Sequence, residues 1–157
     1  MNTTKSNERP ASPRKAIPRR RYRRGNGVLE AALVLPVLLS LSMGMVEFGQ
    51  FFYAKHTVQA ASRDAARTAI LSSVTHQQAT DAAKNTMTAA NIAASKYTVT
   101  FNNATTPFAT ITDVGAVAKG TGIKVTVTST AGQISLRPLG VIPAAKAITG
   151  VTTMIKE

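Results

Sequence analysis

The sequence predicts an α+β protein. A long N-terminal helix crosses a membrane and continues into a small head with a second helix and three or four antiparallel strands. The first ground is an apolar run, Val28–Val46, behind a strongly basic N-terminus. The second is a helical period that carries on to about Ile70. The third is a change to a period of two beyond Tyr97.

Composition narrows the classes. Apolar residues make up 44% of the 157 and charged residues 17%, which argues against wholesale disorder. Aromatics are 5% and Trp is absent, so the core is aliphatic and alanine-rich. With no Cys there is no disulfide, thiolate metal site or Cys nucleophile. The net charge of +12 is segregated: residues 1–25 hold nine Lys/Arg against Glu8, a net +8. The other 132 residues carry only +4. This is a nearly neutral body behind a cationic arm, which argues against nucleic acid as a partner of the body.

The apolar run explains the arm. Its 19 residues contain one charge, Glu30. At a rise of about 1.5 Å each they span about 28 Å, close to the hydrocarbon thickness. A buried core helix is the competing reading, but so small a chain has little material to surround one. Lys55, Arg63 and Arg67 alone carry positive charge in the 20 residues after Glu47. The positive-inside rule therefore puts the N-terminus in the cytoplasm and translocates the body. A cleaved secretory signal would need small residues after the run, and Glu47–Tyr53 is bulky. Pro36 is expected to kink the membrane helix modestly, because it leaves the carbonyl of Ala32 without its donor.

Past the run, Phe51, Ala54, Val58, Ala61, Ala65 and Ala69 fall on one helix face. One helix of about 45 residues is expected from Gly27 to Leu71, about 70 Å long at the same rise. Its small-residue stripe suits close packing, chiefly against the head. Ser72–Val74 ends it. Thr75 and Gln78 have the form of a capping box, opening a second helix of about 20 residues. Ala79, Ala83, Met87, Ala90 and Ala94 lie on its inner face. Tyr97–Phe101 and Ile123–Thr128 alternate as half-buried strands, with a weaker strand at Phe108–Thr112 and a last one at Ile148–Ile155. Residues 113–122 are expected as loop. The domain division is then a basic leader at 1–25, a membrane helix at 26–47, its amphipathic extension at 48–72 and an α+β head at 73–157.

No catalytic constellation assembles by spacing. His56 and His76 are 20 residues apart without ligand partners at helical spacing, and no nucleophile motif is present. The chain is read as non-catalytic, with no cofactor, metal or small-molecule substrate.

A processing signal precedes the apolar run. Gly25 stands before it, and Glu30 is fifth if Asn26 becomes the first residue. This is the pattern of a type III signal, cut by prepilin peptidases on the cytoplasmic side. Residues 24–70 resemble the TadE-like family, small pseudopilins of tight-adherence (Flp-type) pilus systems. The matching residues are Arg24-Gly25, Glu30, Ala32–Pro36, Glu47-Phe48-Gly49, Arg63 and Ala66-Arg67. Leu136–Gly140 and the closing Thr153–Glu157 resemble the family's tail. Ala31 departs from it, standing where an aromatic is usual.

The resemblance implies a pilin-like minor pseudopilin of type IV pilus assembly, trimmed after Gly25 and resident in the bacterial inner membrane. Its head would be periplasmic, with incorporation into an extracellular pilus open to it. Its partners would be the prepilin peptidase, other pilins or pseudopilins, inner-membrane assembly proteins and membrane lipid. Glu30 would pair with an N-terminal amine, its neighbour's by resemblance to pilins. The alternative for Glu30 is a depth shallow enough to reach the headgroups. Glu47, at the outer interface, is expected to tolerate loss of charge better than Glu30. A rival reading of the whole chain keeps the basic arm uncut, gripping anionic lipid or nucleic acid.

Overall fold

The computed structural model describes residues 24–106 and 109–157. The leader expected at 1–25 falls outside these residues, apart from Arg24 and Gly25. The chain divides between Leu35 and Pro36 into two units. One helix, α1 (Arg24–Ala69), contributes to both. In the first unit it is helical from Arg24, and its side chains from Gly27 to Leu35 are exposed. Val28, Leu29 and Leu33 are among the most exposed large apolar residues of the chain.

In the second unit α1 changes character along its length. From Pro36 to Met43 its side chains remain exposed. The Ser40 and Ser42 hydroxyls donate to the carbonyls of Pro36 and Leu38, four residues back, at 2.8 Å each. Both hydroxyls are thereby satisfied inside the helix. From Ala54 onward the expected stripe is buried: Ala54, Val58, Ala61, Ala65 and Ala69 are at most 1% exposed. Phe51 is half-buried, and Ser62 and Ala66 widen the stripe.

The second helix, α2 (His76–Ala89), opens on the capping box. The Thr75 side chain accepts from the Gln78 N–H, and the Gln78 side chain accepts from the Thr75 N–H. Ala79, Ala83 and Met87 are fully buried. The helix has 14 residues, shorter than expected, because Asn91 takes a left-handed φ of 60°. The N–H of Ile92 donates to the Met87 carbonyl and that of Asn91 to the Thr88 carbonyl, which makes a Schellman stop. Ala94, expected on the inner face, is instead exposed in a 3₁₀ turn, Ala94–Lys96.

Three strands follow: β1 (Tyr97–Asn103), β2 (Gly122–Thr130) and β3 (Ala147–Ile155), with a short helix α3 (Ala131–Ile134) between the last two. They form an antiparallel sheet in the order β1-β2-β3. Phe101 pairs with Val125, and Val127 with Gly150. The sheet buries one face: Phe101, Ile123, Val125, Val127 and Ile148 join Val58 and Met87 in one core. The strand expected at Phe108–Thr112 is reduced to an isolated bridge between Asn102 and Thr110, and Phe108 lies outside the described residues.

Two features seat β3 on α1. A Cβ at Gly150 would stand 2.5 Å from the Val58 carbonyl oxygen, so only glycine permits this approach. Beside it, the Gln59 amide donates to the Val151 carbonyl at 3.0 Å and accepts from the Val151 N–H at 3.3 Å. Gln59 thus serves as the missing neighbour of an edge strand. At the far end of α1 the buried Lys156 donates to the Ala69 and Leu71 carbonyls at 3.1 and 2.6 Å. A cation there meets the free carbonyls and negative pole of the helix end.

Candidate functional site

Gly25 and Asn26 lie in the first turn of α1. Glu30 is exposed one turn further on, within the apolar surface. No hydrogen bond or ion pair to it occurs among the described residues. A carboxylate so placed costs roughly 2.5–3.5 kcal/mol to bring to mid-bilayer on insertion scales. Pro36 lies inside α1.

Glu47 is the departure. The sequence reading places it at an outer interface and does not foresee that it is fully buried within its own unit. The segment between α3 and β3 folds over it. The Ile142 N–H donates to its Oε1 at 2.7 Å and the Leu139 N–H to its Oε2 at 3.1 Å. Two converging N–H donors suit an ionised carboxylate, which only accepts. Arg137 completes the turn, its Nε donating to the Ile142 carbonyl at 2.6 Å. Gly140 adopts a left-handed φ of 66° between the two donor residues. Helix and segment meet through side-chain packing as well. A Cβ on Gly44 would touch Leu139 Cδ1 at 3.9 Å.

Around this clasp the surface is apolar. Phe48, Phe51 and Phe52 line a cavity of ≈ 340 Å³ with Val141, Ile142, Pro143 and Lys146. Gly49, the third residue of the Glu-Phe-Gly motif, faces open space. About four and five turns further along α1, Arg63 and Arg67 are exposed. They border a cavity of ≈ 410 Å³ with Ala60, Asp64, Thr152 and Met154. Asp64 accepts from the Thr86 hydroxyl at 2.6 Å, tying α1 to α2.

The structure therefore brings Glu47 and Leu136–Gly140 together, two stretches 90 residues apart that the resemblance singled out separately. The two backbone donors of Glu47 were not foreseen. Their signal is the Pro138 and Gly140 pair, turn residues that force N–H groups inward. His56 is exposed. His76 packs edge-on against Phe101, ring centroids 4.7 Å apart, with Nδ1 buried and unpartnered. No group of three or more His, Cys, Asp or Glu suited to a metal occurs among the described residues.

No curated protein and no solved structure matches the chain. The family model of the TadE-like proteins matches residues 25–67, all of them within α1, and it is to TadE-like proteins that this helix is similar.

Proposed function

We propose that the chain is a non-catalytic minor pseudopilin of a tight-adherence (Flp-type) pilus system. The observation that supports this is the coincidence of the TadE-like match with a single helix of two characters. Its apolar N-terminal part is exposed, and its second part is buried against a small head. The helix is long and apolar enough to cross a membrane. The nine basic residues ahead of it favour a cytoplasmic N-terminus and a periplasmic head, in the inner membrane.

In this reading a prepilin peptidase cuts after Gly25. Asn26 then carries the new α-amine and Glu30 is fifth, one helical turn away. Glu30 pairs with the amine of a neighbouring subunit, and that pairing sets the axial register. Other pilins, pseudopilins and inner-membrane assembly proteins are the partners.

The test is Glu30→Gln, which keeps the size and removes the charge. The variant inserts and is processed, yet fails to support piliation at normal protein level. Normal piliation would leave Glu30 as a shallow carboxylate reaching the headgroups. The rival reading, an uncut arm holding anionic lipid or nucleic acid, requires residues 1–25 to be retained on the membrane form.

A further inference from the structure

The segment after α3 lies level with the apolar run rather than beyond it. Leu139 reaches the side of Gly44, two residues before the run ends at Val46. Two residues of helix are about 3 Å of depth. The segment is apolar where it is exposed: Leu136 is 67% exposed and Val141 57%. Phe52, on the adjoining turns of α1, is 53% exposed. Met45 and Val46, at the end of the run, are exposed as well. Lys146 borders it and is exposed, placed to reach phosphates with its amine while its stem covers apolar surface.

Irregular backbone at membrane depth is tolerated only where its polar groups have partners. Three backbone groups of this turn find their partners in side chains. The Leu139 and Ile142 N–H groups are taken by Glu47, and the Ile142 carbonyl by Arg137. Glu47 is a buried carboxylate just past the end of the apolar run, in the middle of α1. Here it satisfies two N–H groups of a turn that lies beside the end of that run.

We infer that residues 136–143 form a second membrane contact, an interfacial loop dipping into the leaflet on the head's side, with Glu47 as its positioning residue. The occupant of the apolar patch is lipid, because the patch is continuous with the apolar run of α1. This rests on the membrane reading of α1 given above.

The sequence has no cysteine, so single-cysteine labelling is clean. Leu139→Cys, Val141→Cys, Leu38→Cys and Lys124→Cys replace exposed residues. Each full-length variant is labelled with an environment-sensitive fluorophore and reconstituted in phosphatidylcholine–phosphatidylglycerol vesicles. Quenching is read with lipids spin-labelled near the headgroup or deep in the chain. Labels at 139 and 141 lose emission to the shallow quencher, the label at 38 to the deep one, and the label at 124 to neither. Adding Glu47→Ala to Leu139→Cys abolishes the quenching at 139. The same change in the Leu38→Cys background leaves its quenching intact. Quenching at 38 without quenching at 139 and 141 overturns the inference while leaving the membrane helix standing. Loss of quenching at 38 as well overturns both. Shielding of 139 and 141 only at high protein-to-lipid ratio assigns the patch to a second copy and overturns the lipid reading.

Discussion

Glu30 and Glu47 are both carboxylates on α1, and their surroundings give them opposite tasks. Glu30 is exposed on an apolar surface, with no hydrogen-bond partner among the described residues. Glu47 is buried and satisfied within its own unit by Leu139 and Ile142. Glu47→Gln keeps one acceptor but turns an amide N–H₂ toward a backbone donor. That leaves a buried N–H unpaired, among the more damaging polar changes a fold can suffer. The thermal unfolding midpoint of the detergent-solubilised protein therefore drops by several degrees. Glu30→Gln leaves the midpoint within error, since no described contact depends on it. Equal midpoints for the two variants would contradict the clasp. The burial of Glu47 was not legible in the sequence, because a charge ending an apolar run reads as an interface marker. Its partners are backbone groups more than 90 residues away, which no residue pattern displays.

At the scale of elements, local rules carried α1, the start of α2 and the three strands. Each rests on a period or a cap written in adjacent residues: the Ala54–Ala69 stripe, Thr75 with Gln78, and Ile123, Val125 and Val127. Where the reading slipped, a stop signal was weak or tertiary. Asn91 ended α2 early by taking a left-handed conformation that glycine usually signals. The Phe108–Thr112 stretch, with its polar neighbours, reached only one bridge to β1. The contact between β3 and α1 was also hidden, since it depends on the absence of a side chain at Gly150. Gly150→Ala would set a Cβ within 2.8 Å of three backbone atoms of α1. Helix backbone cannot rotate aside, so the sheet must move away. Overpacking of this kind costs about 1–3 kcal/mol. Urea unfolding followed by circular dichroism should show a lower midpoint with an unchanged slope. A wild-type midpoint would mean that β3 does not approach α1 as described.

At the scale of the whole molecule, the proposed topology runs from a basic arm through an apolar helix half to a small α+β head. The nine-to-three asymmetry of Lys/Arg around the apolar run supports the proposed direction, N-terminus inside. A reporter fused after Glu157 should be active only in the periplasm. Cytoplasmic activity of that fusion would invert the topology and remove the type III signal reading with it. Gly25 carries the central claim, because the pseudopilin reading makes the arm a leader and the rival reading makes it a permanent grip. A glycine lets its backbone enter a peptidase cleft closely, having no side chain. The most direct measurement is the intact mass of the membrane-extracted protein, wild type and Gly25→Leu, in cells with and without a prepilin peptidase. The account predicts a wild-type chain beginning at Asn26 only when the peptidase is present, and a Gly25→Leu chain that retains residues 1–25 in both. A wild-type chain that keeps its arm beside an active peptidase, or a Gly25→Leu chain beginning at Asn26, would contradict it.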